Sequence, residues 1–146
     1  MEFREFLKNL FLFENIDLKP NSKYIILEND HEVDPEGHKI LSKIEENYSS
    51  LTALSKHSKE EIENVLKNFK ENGGETVYVY TTGQNVNQMY EYTDAIINAG
   101  INNMKIDFNL GIKKDHKEFL ETFKNDINIE SRDLNVNKIR KKIKNR

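Results

Sequence analysis

The stretch ETVYVYTTGQNVNQMYEYTDAIINAGINNMKIDF, residues 75–108, decides the fold. Glu75–Thr82 is β-branched and aromatic with no breaker, which is strand composition. Gly83–Asn85 turns the chain. Val86, Met89, Tyr90, Ile96 and Ile97 then recur at helical spacing until Gly100, a helix stop. Met104, Ile106, Phe108 and Leu110 alternate with polar neighbours, as expected of an edge strand with one solvated face. Strand, helix and strand in this order predict a βαβ unit with parallel strands.

Residues 77–106 resemble a strand–helix–Ala99-Gly100–strand segment of the periplasmic domain of ExbD/TolR-type transport proteins. The likeness consists of an apolar strand, an amphipathic helix and that dipeptide. It implies a βαβ unit and carries over no activity.

Outward from this unit the alternation continues. Tyr24–Glu28 reads as a buried strand. Asp34-Pro35 looks like an N-cap followed by a first helical position, with Ile40, Leu41, Ile44 and Tyr48 on one face. Residues 49–55, SSLTALS, are a short edge strand or a loop. Ser58 and Glu61 form a capping box for a helix burying Ile62, Val65, Leu66 and Phe69, stopped by Gly73-Gly74. A later helix starts at Lys114 or Asp115 and carries Phe119, Leu120 and Phe123. Ser131 is expected to cap a last helix with Val136, Ile139 and Ile143 in a thin stripe. The expected fold is α/β: a three- to four-stranded, mostly parallel sheet flanked by helices, with extra helices at both ends. We read one domain, with an aromatic amphipathic helix over 1–16, an α/β core over 23–127 and a basic helix over 131–146.

The 146 residues are 36% hydrophobic and 32% charged, and eight Phe with six Tyr are too many for a disordered chain. The absence of cysteine excludes disulfides, thiolate zinc and cysteine nucleophiles. No apolar run reaches the roughly 18–20 residues that span a bilayer. Glu2, Arg4, Glu5 and Lys8 interrupt the first apolar residues, so these read as an amphipathic helix and not as a signal peptide. A cytoplasmic protein with no membrane contact is expected. The abundant Asn, Lys, Ile and Glu fit AT-rich coding sequence, as in a low-GC bacterium, its phages or its plasmids.

Parallel strands place the loops after them on one edge, where α/β sheets bind ligands. Asp30, His31, Glu32, Asp34 and His38 follow the first strand. Carboxylates and imidazoles suit a divalent metal, and Asp30 suits a general base, but the spacing matches no ligand motif. No metal and no cofactor are assigned. Thr82, Gln84 and Asn85 lie between the clearest strand and its helix, where helix-terminal amides can hold a phosphate. The structural alternative is a plain turn with Asn85 as N-cap. Lys56 and His57 would occupy the equivalent loop after the second strand, and Lys113 the one after the last. Tyr78, Tyr80, Tyr90 and Tyr92 look like a cluster, either core or recognition surface.

The two ends differ in chemistry. Phe3, Phe6, Leu10, Phe11 and Phe13 exceed what one packing face needs, which suggests self-association or a protein partner. The stretch from Ser131 carries seven Lys/Arg against Asp133 alone, near +6, leaving the rest near −9. Its Lys138, Arg140, Lys141 and Lys142 could meet nucleic acid or an acidic partner. No catalytic set is legible. The first expectation is therefore a non-enzymatic interaction or assembly protein. The second is a phosphate- or nucleotide-binding module or hydrolase using Asp30, His31, His57, Thr82, Gln84 and Asn85. The third is nucleic-acid binding through the basic end.

Overall fold

A computed structural model describes residues 16–28, 35–52 and 58–134. The elements run β1 (Ile16–Asp17), β2 (Tyr24–Glu28), α1 (Pro35–Ser42), β3 (Tyr48–Thr52), α2 (Lys59–Glu71), β4 (Thr76–Thr81), α3 (Val86–Asn98), β5 (Asn103–Phe108), α4 (Lys114–Phe123) and β6 (Asn128–Asp133). The strands form one sheet in the order β1-β3-β2-β4-β5-β6. β3, β2, β4, β5 and β6 are all parallel, and β1 adds an antiparallel pair outside β3. Counted from β2, the parallel strands lie 2-1-3-4-5, the doubly wound order of flavodoxin-like sheets.

The chain steps one way from β2 to β3, then reverses to β4, β5 and β6. Because such crossovers are right-handed, the reversal moves the helices to the other face. Ile62, Val65, Leu66 and Phe69 of α2, Met89, Tyr92, Ala95 and Ile96 of α3, and Phe119 and Phe123 of α4 accordingly pack together on Ile25, Leu27, Val77, Val79, Met104 and Ile106. Leu41 of α1 joins Ile26, Tyr78 and Tyr80 on the opposite face.

The α/β class and the parallel sheet agree with expectation, and five parallel strands replace the three or four expected. The capping box at Ser58 forms, and Asn85 caps α3 by accepting from the Gln88 amide. Several readings are corrected. Of the two readings of 49–55 the strand holds, over Tyr48–Thr52, but it lies between β1 and β2 and not at the edge, with buried Ser49 bonded to Ser22 and to the Lys19 amide. These hydrogen bonds let polar residues line a buried strand. α1 ends at Ser42, Ile44 is 44% exposed, and Tyr48 opens β3 instead of extending the helix. Ser131 does not cap a helix: Asn128–Asp133 is a strand, paired in parallel with β5. β5 is therefore interior, not an edge. The Phe3–Phe13 stretch and the basic residues from Lys138 lie outside the described residues.

Among the described residues, no helix is long and apolar enough to cross a membrane.

Candidate functional site

The strand order reverses between β2 and β4, so α1 and α3 lie on opposite faces of the sheet, the arrangement at which doubly wound sheets take ligands outside the carboxyl ends of their strands. Glu28 ends β2 there and is buried. Its Oε1 lies 2.8 Å from Nε2 of His38 on α1. The other ring nitrogen, Nδ1, lies 2.8 Å from the Tyr48 hydroxyl at the start of β3. Burial raises the Tyr48 pKa above its usual value, and the nearby Glu28 and Asp17 charges add to this. The phenol and Nδ1 share a hydrogen bond, while Nε2 faces the Glu28 carboxylate at ion-pair distance. The result is a carboxylate–imidazole–phenol chain that pins α1 to two strands.

On the β4 side the Thr81–Asn85 turn is tightly built. The Gly83 amide donates to Thr81 Oγ1 at 3.0 Å, the Gln84 amide approaches Thr82 Oγ1 at 3.4 Å, and Asn85 caps the helix. Gly83 has φ +75, and a Cβ there would lie 2.5 Å from His116 Nε2, so conformation and space both call for glycine. His116 of α4 is buried and stacked on Phe108 with centroids 4.5 Å apart. Its Nδ1 accepts from the Lys113 amide at 3.0 Å, which leaves Nε2–H to donate to the Gly83 carbonyl at 2.8 Å. A buried neutral histidine therefore braces the turn from the neighbouring helix. No residue in the first turn of α3 is acidic, so its dipole is open to an anion.

Of the candidate residues, Thr82 is half-buried and Gln84, Asn85 and Lys113 are exposed at this edge. Asp30, His31, Lys56 and His57 lie outside the described residues. The tyrosines divide: Tyr78 and Tyr80 face α1, whereas Tyr92 and the half-buried Tyr90 pack with α2, α3 and α4.

A second polar cluster, invisible to sequence reading, sits within the sheet on the α1 face. Asp107 of β5 is 1% exposed. Arg132 of β6 grips it with two hydrogen bonds, Nε to Oδ1 at 2.7 Å and Nη2 to Oδ2 at 2.6 Å. The fully buried Tyr78 hydroxyl donates to the same carboxylate. Burial, then the Asp107 hydrogen bond and charge, raise the Tyr78 pKa strongly. The bond to Asp107 likewise raises that of Arg132. With every charge paired, the cluster reads as structural. Asn109, just beyond β5, keeps a buried side-chain oxygen that accepts no hydrogen bond. It too was missed, although an Asn ending a strand beside the Gly111 turn is a signal to check. Among the described residues no group of three or more His, Asp or Glu could hold a metal.

The chain matches no family model, no curated protein and no solved structure.

Proposed function

We propose that this chain is a small-molecule-binding module whose ligand carries a phosphate, as a nucleotide does, and sits at the β2/β4 crevice. The strand order carries the reading: it puts the β2 and β4 ends side by side at the point where doubly wound sheets take their ligands. The phosphate belongs at the N-terminus of α3, with Thr82, Gln84 and Asn85 supplying polar contacts. Glu28 and His38 form the opposite wall. They act as positioning residues, because each already engages the other. The braced turn adds support, since a site held rigid before binding loses less entropy on binding.

The test is thermal unfolding of the full chain with inorganic phosphate, mono- and trinucleotides, Mg²⁺ and short DNA or RNA. A compound at about 100 times its Kd adds roughly 2.7 kcal/mol. The reading expects a nucleotide or phosphate response that Gln84→Ala or Thr82→Ala weakens without changing the ligand-free melting temperature. No response to any phosphate compound, or a response indifferent to both substitutions, rejects it.

An interaction or assembly role is the second reading. The two ends that first suggested it are not described, but the exposed outer edge of β6 favours it.

A further inference from the structure

We propose that two copies of this chain join edge to edge through β6, antiparallel, about a two-fold axis at Ser131. The inference is independent of the ligand crevice. Among the described residues β6 is the last strand of the sheet, paired with β5 on one side only, and five of its six residues are exposed. It contains no proline and follows β5 residue for residue with no bulge, so two common protections of a sheet edge are missing.

Hydrogen-bond directions restrict how a second strand can add. The Asn128 amide donates to Asn102 and the Leu134 amide to Phe108, so even-numbered residues turn their backbone groups toward β5. Alternation along the strand then sends the N–H and C=O of Ile129, Ser131 and Asp133 outward. An antiparallel neighbour must place these odd residues opposite one another. The register centred on Ser131 uses all three: Ser131 meets itself, and Ile129 meets Asp133 of the second copy.

Charge selects the same register. Centred on Ser131, it sets Glu130 opposite Arg132 of the second copy, twice by symmetry. Shifted to either adjacent allowed register, it opposes Glu130 to Glu130 or Arg132 to Arg132, and like charges directly opposite are unfavourable. Glu130 already lies 3.7 Å from Lys105 Nζ, and Arg132 is bonded to Asp107, yet both side chains keep exposed surface toward the edge. That of Glu130 is 71% exposed and that of Arg132 52%. Arg132 spends Nε and Nη2 on Asp107, and Nη1 remains to reach across. The isologous contact closes on itself, so it gives a dimer and not a fibre.

The experiment uses the full-length chain, which contains no cysteine. Sedimentation equilibrium should show a concentration-dependent dimer. Ser131→Cys should form a disulfide-linked dimer on mild oxidation, because facing residues of a hydrogen-bonded antiparallel pair lie about 5.5 Å apart at Cα, within disulfide range. Glu130→Cys, whose two copies are offset in this register, should not. Glu130→Lys, on an exposed side chain, should weaken the dimer roughly tenfold. A monomer at every concentration overturns the proposal, including one that captures extended peptides on this edge. So does a dimer that Ser131→Cys fails to cross-link and Glu130→Lys fails to weaken, which would use another surface.

Discussion

The two faces of the sheet are made from the same strands but held by different means. On the side of α2, α3 and α4, apolar residues of four strands meet three helices, and shape and volume decide the fit. On the α1 side the apolar set is small, and Tyr78, Asp107 and Arg132 tie β4, β5 and β6 through charge-assisted hydrogen bonds. A face packed by volume should lose stability gradually as atoms are removed. A face organised by one buried carboxylate should fail abruptly when that group goes.

The sharpest challenge to this contrast is Asp107→Ala. It strands the Arg132 charge and the Tyr78 hydroxyl, and urea unfolding should show a loss of about 3–5 kcal/mol. Exchanging Asp107, Arg132 and Tyr78 together for apolar residues of similar size should recover most of it, whereas a persistent loss would mean that the cluster does more than satisfy itself. Gly83→Ala forces a left-handed backbone on alanine and drives its methyl into His116. We expect a loss of roughly 2–3 kcal/mol and a weaker response to phosphate compounds. Ile106→Val removes one methylene from the volume-packed face and should cost about 1 kcal/mol at any pH.

Tyr78→Phe should cost a similar ~1 kcal/mol near neutral pH, and its pH profile separates it from Ile106→Val. The folded Tyr78 pKa lies well above the ordinary value of 10.0. Above that pH the unfolded chain releases the proton while the folded one keeps it, so unfolding becomes more favourable as pH rises. This stabilising contribution is complete below pH 10 and declines beyond it. The phenylalanine variant should therefore show a shallower fall in melting temperature at alkaline pH than the parent. Parallel curves would remove Tyr78 from the account. Ser58→Ala, at the N-cap of α2, should cost the least, about 0.5–1 kcal/mol by thermal unfolding.

What was legible in the sequence follows from this contrast. β4, α3 and the caps at Ser58 and Asn85 are written in local composition and could be read directly. β6 could not: NIESRD is an exposed strand with one partly buried apolar residue, so it lacks a strand's hydrophobic pattern. Its Ser and the basic run beyond it suggested a helix cap instead. The polar alternation of Lys105 and Asp107 suggested solvent, but for Asp107 it recorded a partner 25 residues away. The strand order, and with it the place of the crevice, depends on long-range pairing that no local pattern contains. Thr82, Gln84 and Asn85 were legible because they adjoin the clearest strand. The Glu28–His38 pairing and the brace from His116 join separate elements and were not.

The sheet is also two sequential wings. β2 with β3 forms one and β4, β5 and β6 the other, and each wing pairs strands that are neighbours along the chain. Among the described strands only β2 with β4 joins them, in parallel, and that join must wait until α1, β3 and α2 have been looped out. On the ribosome the N-terminal wing emerges first, and the seam can close only after β4 has followed. The proposed crevice lies on this seam, so a ligand there would act as a clasp across the last-made junction of the molecule.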